Sequence, residues 1–516
     1  MRSQSFITRL RTAADGLSTD VAANFAVKYL RRPVKDHNYV KKLARPLLEA
    51  RIPNLGMIVP KPWNHQLACV HLGLQNPGFL FFLDMGCVDA GTEYLTPYGW
   101  KRIADYDGEL VAQYEPKTGE ATFIQPLDYI KKPCTSFYHF KSARGLDQML
   151  SPSHRMLVAT TDIQKEYERG RVLFSKSIGK TPYNYGKGYN FFNETTPDRI
   201  NNYLESGRTL RNAHIHCETT FQLKNNSRLD LTEAELRLQI AFHADGSFGR
   251  KNWRQFKAGK QGVMRLKRQH KITRLRTLLA TAATLYRERF EEKTGFHIFS
   301  FVPPMHTKCF TQDWWHVSEA QKRIIVDEVG HWDGSFVKAG AIKFFTTIKD
   351  DADFIQFCFA STGRRASITR TERNRRGRLE IDYTVHAIGT GRTTNLVQYV
   401  SPPIKTPSPD GFMYCFNVPT TYLVLRRNNC IFITGNSGKS AIALNIIRER
   451  MRQGQIKRTL VLVPNVVNIT SWAAEIIKHA PELRVVKMND NSRIKRQTQL
   501  KEDADIWVLN YAGCSR

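Results

Sequence analysis

A motif cut in two constrains this chain more than any other feature. Upstream, GFLFFLDMG reads as a short buried strand running into a glycine turn at Gly86. Downstream, Ser437-Gly438-Lys439-Ser440 opens AIALNIIRERMRQ, a helix with apolar residues at i, i+3, i+4 spacing. A strand, a glycine turn, Gly-Lys-Ser and a helix together make a phosphate cradle. Backbone N–H groups at the helix start meet the phosphates, Lys439 supplies charge, and the Ser440 hydroxyl reaches Mg²⁺. Neither end holds this device alone. In the intact chain Ile433 stands where the motif wants its first glycine, whereas joining Gly86 to Ser437 gives Leu-Asp-Met-Gly-Ser-Gly-Lys-Ser behind FLFFLD. The sequence therefore predicts an insert, Cys87 to Asn436, interrupting a nucleotide-binding unit whose next strands are TLVLVP and ADIWVLNYAG.

At 516 residues the chain is too long for one ordinary domain. A formal charge of +30 points to a polyanionic partner, with double-stranded DNA the leading candidate; the alternative is a solvated basic surface. Nine cysteines without a CxxC pair or regular spacing argue against a zinc ribbon and a disulfide framework and suit a reducing cytoplasm. His214-Ile215-His216-Cys217 has no second ligand pair at finger spacing, so it reads as incidental. No apolar run reaches membrane-spanning length. The Arg- and Ser-bearing start contains Asp15 and Asp20, which makes it a soluble amphipathic helix rather than a transit peptide.

The junctions carry their own chemistry. Cys87 can attack the Gly86 carbonyl and convert an amide to a thioester, and Ser437 can then take the acyl group. Asn436 can cyclise its side-chain amide onto its own carbonyl carbon, after which an O-to-N shift leaves Gly86 bonded to Ser437. Every reacting group is tethered, so no cofactor is needed. With Ser151-Pro152-Ser153-His154 and the run Tyr414-Cys415-Phe416-Asn417-Val418-Pro419-Thr420-Thr421-Tyr422, this arrangement resembles the inteins. The resemblance implies that His154, assisted by Ser151, polarises the Gly86–Cys87 amide, and that Cys415 tunes the first or branching step. Read without it, His154 is a turn histidine between strands. Two positions depart from the family: Gly435 and Tyr422 stand where inteins carry histidines that assist Asn436, so either a slow last step or other donors in their place is expected.

Inside the insert the periodicity changes from alternating strands to helices. LTEAELRLQIAFHADGSF and, later, EAQKRIIVDEVGHWDGSF share one design, each followed by a strand and a helix, which predicts an internal duplication with a pseudo-twofold axis. The two segments resemble the paired motifs of LAGLIDADG homing endonucleases. That resemblance implies that Asp245 and Asp333 meet, hold Mg²⁺ and cleave a phosphodiester. Lys267 is the candidate basic catalytic partner. The alternative is two unrelated Asp-Gly helix ends. Basic residues follow each motif: Arg265, Lys267, Arg268, Lys271 and Arg274, then Arg364, Arg365, Arg370, Arg373, Arg375, Arg376 and Arg378. On saddle-shaped sheets these would meet DNA phosphates, with some serving only as solvated faces.

The joined ends resemble the superfamily-two helicases and DNA-dependent ATPases, with Gln66 at the adenine-reading position and Gly86, Gly438, Lys439 and Ser440 at the phosphates. Leu83 departs from the strict loop, and the chain stops before any acidic motor motif, so ATP and Mg²⁺ binding after joining is expected and motor activity is not. The expected fold is multidomain. Residues 1–86 and 437–516 form a split, truncated RecA-like α/β domain, 87–215 and 396–436 an all-β Hint-type splicing domain, and 216–395 an α/β endonuclease. The whole is expected to be a cytoplasmic monomer of bacterial, archaeal or phage origin that self-splices and cuts DNA. Two rivals stand beside it: a helicase-type DNA-binding ATPase fragment with a non-splicing inserted domain, and a splicing intein whose nuclease is inactive.

Overall fold

The structure is a computed structural model. It describes residues 87–142, 145–152, 154–160, 176–180, 191–205, 215–224, 227–248, 261–337, 340–375, 377–388, 393–395, 403–435 and 439–463, with shorter stretches between 469 and 510. The protein is a multidomain α/β chain with mixed sheets. It divides into two compact units, Asp84–Ser437 and the flanking Met1–Leu83 with Gly438–Arg516. Among the described residues no helix is long and apolar enough to cross a membrane.

In the flanking unit, the two apolar runs expected to be strands, Thr459–Val463 and Ile506–Asn510, pair in parallel, and among the described residues a third strand not expected from sequence, Val485–Met488, extends the sheet beyond Ile506–Asn510. Leu444 of the helix Lys439–Arg452 joins Val463, Ile506 and Val508 in its core. Gln66, Gly86, Asn436, Ser437 and Gly438 lie outside the described residues, and of Lys439 and Ser440 only the backbone, at the start of that helix, is described.

The larger unit is built on a sixteen-stranded sheet with smaller sheets around it. Most pairings are antiparallel, and Gln222–Leu223 runs parallel to Glu120–Ala121. The hairpin Tyr422–Arg427 and Cys430–Gly435 turns on Asn428 and Asn429, both at positive φ (44° and 65°), the conformation a two-residue turn needs.

Four helices carry the duplicated part: α1 (Glu233–Asp245), α2 (Gln269–Thr281), α3 (Glu319–Glu328) and α4 (Lys349–Ser361). α1 and α3 each begin with a reciprocal capping box, Thr232 with Glu235 and Ser318 with Gln321, so two orphan donors are satisfied at each start. Each helix then leads to a Gly-Ser-Phe strand. The first half orders its sheet Gly246–Phe248, Gly262–Leu266, Phe296–Phe301, Tyr286–Glu291. The second orders Gly334–Phe336, Ile342–Thr346, Arg378–Ala387, Ala366–Arg375. The two orders are the same, so the duplication read in the sequence is a duplication of topology. α1 is buried on several sides, through Leu236, Leu238, Ile240, Ala241 and Phe242, as befits a helix packed between α3 and its own sheet. In the second half only, Ser367 pairs with Cys430, which welds that sheet to the larger one.

Candidate active site

Two acids end the two equivalent helical segments. Asp245 is the last residue of α1; Asp333 follows α3 after a 3-10 turn, Val329–His331. Glycine follows each acid because the chain closes tightly there. A Cβ on Gly246 would lie 2.4 Å from the Phe242 carbonyl oxygen, and one on Gly334 would lie 2.6 Å from that of Val329. Burial pushes the Asp333 carboxyl up to about 6, and the Asp245 charge adds to the shift, while Lys271 and Lys308 oppose it. Asp245 is met by Lys271, whose Nζ donates to its Oδ2 at 2.5 Å.

A buried carboxylate holds the helix ends in place. Glu328, at the end of α3, accepts from Arg274 through Nε (2.8 Å) and Nη2 (2.6 Å), from Arg237 (2.9 Å) and from the Trp332 indole (2.7 Å). Burial alone would raise its pKa, but the bonds from Arg274, Trp332 and Arg237 outweigh it and hold the group below the usual carboxylate range. Arg237 belongs to α1 and Arg274 to α2, so this one carboxylate ties three helices together. At the other end, Gln321 of α3 donates to the Leu229 carbonyl (2.8 Å) and accepts from the Leu229 N–H (3.0 Å).

Beside Asp333 lies a cavity of about 400 Å³, lined among others by His243, Lys308, Trp332, Thr346 and Asp351. Asp351 is buried and accepts from the Phe310 N–H at 2.8 Å. Burial pushes its pKa up to about 6, with Asp350 and Asp333 adding to the shift. Burial likewise pushes the His243 imidazole down to about 3, so it is neutral at physiological pH.

The sequence candidates fare unequally. The Lys267 ammonium lies 5.8 Å from the centre of the Phe296 ring, and the lysine that meets Asp245 is Lys271. Arg274, expected to meet phosphates, is committed to Glu328, and Arg265 bonds Glu291 at 2.7 Å. In the second set Arg370 pairs with Glu372 (2.8 Å) and Arg373 with Asp382 (3.0 Å), both half exposed on the long hairpin; Arg376 lies outside the described residues. Glu328, Asp351 and Lys308 were not singled out from sequence. The shared flanking pattern of the two Asp-Gly motifs located their helices, but no local signal marks which later residue folds back onto them.

A second cluster surrounds Cys87, which is fully buried. Its backbone N–H donates to the Ser151 hydroxyl at 3.0 Å, and its carbonyl accepts from the Ser151 N–H at 2.9 Å. The Cys415 thiol is hydrogen-bonded to that of Cys87, and this contact together with burial pushes it well above the usual thiol range. His154 donates its backbone N–H to the Ser151 carbonyl at 2.9 Å. The Thr434 hydroxyl gives its proton to the Arg155 carbonyl (2.9 Å), so the imidazole Nε2 is the donor to the Thr434 oxygen (2.5 Å). Arg155 fills the space beside Gly435, where a Cβ would lie 2.5 Å from its Nε. Its guanidinium stacks 4.6 Å from the Tyr422 ring centre, and the Tyr422 hydroxyl donates to Glu194. The cluster therefore joins Cys87, Ser151, His154 and Cys415, while Asn436 and Ser437 lie outside the described residues.

No family model matches the chain. The chain is 24% identical over 418 residues to ribonucleoside-diphosphate reductase subunit beta of Aquifex aeolicus, a match covering 76% of this chain and 55% of that protein. It thus spans about half the length of the curated relative it matches. Among solved structures, a complex of the homing endonuclease I-DmoI with DNA and Mn is similar at 9% identity and a TM-score of 0.23, over 30% of this chain and 89% of that one. Full-length DUF199/WhiA from Thermatoga maritima is similar at 10% identity and a TM-score of 0.22, over 31% of this chain and 53% of that one. Structural likeness at these values assigns the chain no activity. The reductase match overturns one expectation: most of the chain aligns with a protein of a different name and function, so the reading as a self-splicing precursor of a helicase-like host does not stand.

Proposed function

We propose that the duplicated part of the chain is an endonuclease that hydrolyses phosphodiester bonds of double-stranded DNA with divalent metal, Asp245 and Asp333 being its paired acids. The observation that carries this reading is the repeat itself. Two halves of equal strand order each deliver one aspartate, directly before a Gly-Ser-Phe strand, at the ends of helical segments that pack together.

The donors fit a cation of the Mg²⁺ type. Two carboxylates near each other in a partly buried place, one of them pushed up to about 6, gain from a dication beside them. Among the described residues no three His, Cys, Asp or Glu side chains converge on a metal position. Mg²⁺ suits that arrangement, since it takes one or two carboxylates and completes its shell with water and phosphate oxygens. A cation held there supplies an activated water and charge for the leaving oxygen. The protein's own part is to hold the two carboxylates, to place the Lys271 ammonium beside Asp245, and to fix the helix ends through Glu328. Arg370 and Arg373, half exposed on the long hairpin, would contribute to phosphate binding.

The test uses the purified full chain, sheared mixed bacterial and phage genomic DNA, and Mg²⁺ or Mn²⁺, with newly made ends captured and sequenced. Recurrent ends at one sequence are expected. Asp245→Asn and Asp333→Asn each lower their yield by about 10²-fold or more. Random ends, or recurrent ends that survive both substitutions, would overturn the assignment.

A further inference from the structure

The two halves agree in topology and disagree in charge. α2 and α4 occupy equivalent places in the repeat, each following the second strand of its sheet. The third residue of α2 is Lys271 and the third residue of α4 is Asp351. Where the first half sets an ammonium 2.5 Å from its acid, the second sets another carboxylate, buried and lining with Lys308 the same cavity as Asp333, so the second half carries one more negative charge than the first. Asp351 is anchored there by the Phe310 N–H at 2.8 Å, so it is a fixed part of the site rather than a surface group.

A scissile phosphate is an anion, and more negative charge builds on its oxygens as it is attacked. An ammonium already in position favours that change, and an added carboxylate opposes it. We propose that the paired-acid site cuts the two DNA strands at unequal rates: the half with Asp245 and Lys271 cuts first, and Asp351 slows the half with Asp333. Asp351 is thus a specificity-determining residue for strand order. The inference rests on the nuclease reading.

The experiment takes the recurrent duplex recovered by end capture, cloned in a supercoiled plasmid, with each strand labelled in turn. Nicked circle is expected to accumulate before linear DNA, with one strand cut about tenfold faster than the other. Asp351→Asn keeps the oxygen that accepts from Phe310 and removes the charge; it should bring the two rates within about threefold by speeding the slower strand. Lys271→Met should slow the strand that the wild-type chain cuts first and leave the other within about twofold. A structural role for either residue would lower both rates together and leave their ratio unchanged, and melting curves of both variants separate that case. Equal strand rates in the wild type, an unchanged ratio in Asp351→Asn, or slowing of the wrong strand by Lys271→Met overturns the inference and leaves the nuclease reading standing. Absence of any recurrent duplex overturns both.

Discussion

Glu328 holds a charge where charge is costly, and it survives because four donor atoms surround it. Removing it leaves Arg274 and Arg237 without their buried partner, so Glu328→Gln should cost about 3–5 kcal/mol by urea unfolding. The sign of its pH effect follows from the lowered pKa. A carboxylate held below its ordinary value adds stability above the unfolded pKa and loses it as pH falls through the folded one. Melting temperature should therefore drop as pH falls below about 4.5, and part of that drop should vanish in Glu328→Gln. An unchanged acid profile in the variant would contradict the network. Nothing in the sequence separates Glu328 from other helix acids; its role depends on residues from two other helices. The exchange of Lys267 for Lys271 has a similar cause. Lys271 and Arg274 stand at i, i+3 and so share one face of α2, and that face turns inward to Asp245 and Glu328. Lys267, in the turn before the helix, is carried outward to the Phe296 ring.

At the scale of elements, the duplication was the most legible feature of the chain, because two similar helical segments ending in Asp-Gly-Ser-Phe, each followed by a strand and a helix, are local signals. The closeness of packing behind them was not. Gly246→Ala would set a Cβ 2.4 Å from a carbonyl oxygen of α1 and 2.3 Å from the Phe242 ring. Since backbone cannot yield as a side-chain tip can, a loss of about 1–3 kcal/mol is expected in the midpoint of denaturation, with cleavage reduced because Asp245 moves. Full stability in this variant would mean that the helix end is looser than described. Thr232→Ala, which removes only a cap, should cost about 1 kcal/mol and spare activity. The weld between the second sheet and the larger one was also hidden. Arg426, in a strand that reads as ordinary, is fully buried between Glu93 and Asp353 of α4, with Trp100 stacked at 4.6 Å.

At the scale of the molecule, a surplus of thirty positive charges predicts that the proposed association with duplex DNA is strongly salt-dependent. Affinity for a random duplex, measured by fluorescence anisotropy, should fall steeply and linearly on a log–log plot against salt, and a flat line would count against a DNA partner. Charge was visible in composition, but its allocation was not, since Arg274 and Arg426 are spent on carboxylates inside the fold and Arg265 pairs with Glu291 at the surface. The split phosphate motif drew the sequence toward a precursor reading, which the match to a reductase subunit displaced. The paired acids depend on neither host. The most direct measurement is therefore end capture on genomic DNA with Mg²⁺, run side by side for the wild-type chain, Asp245→Asn and Asp333→Asn. Recurrent double-strand ends at one sequence in the wild type, lost in both variants, are the expected result. Ends made equally by all three chains, or by none, would contradict the account.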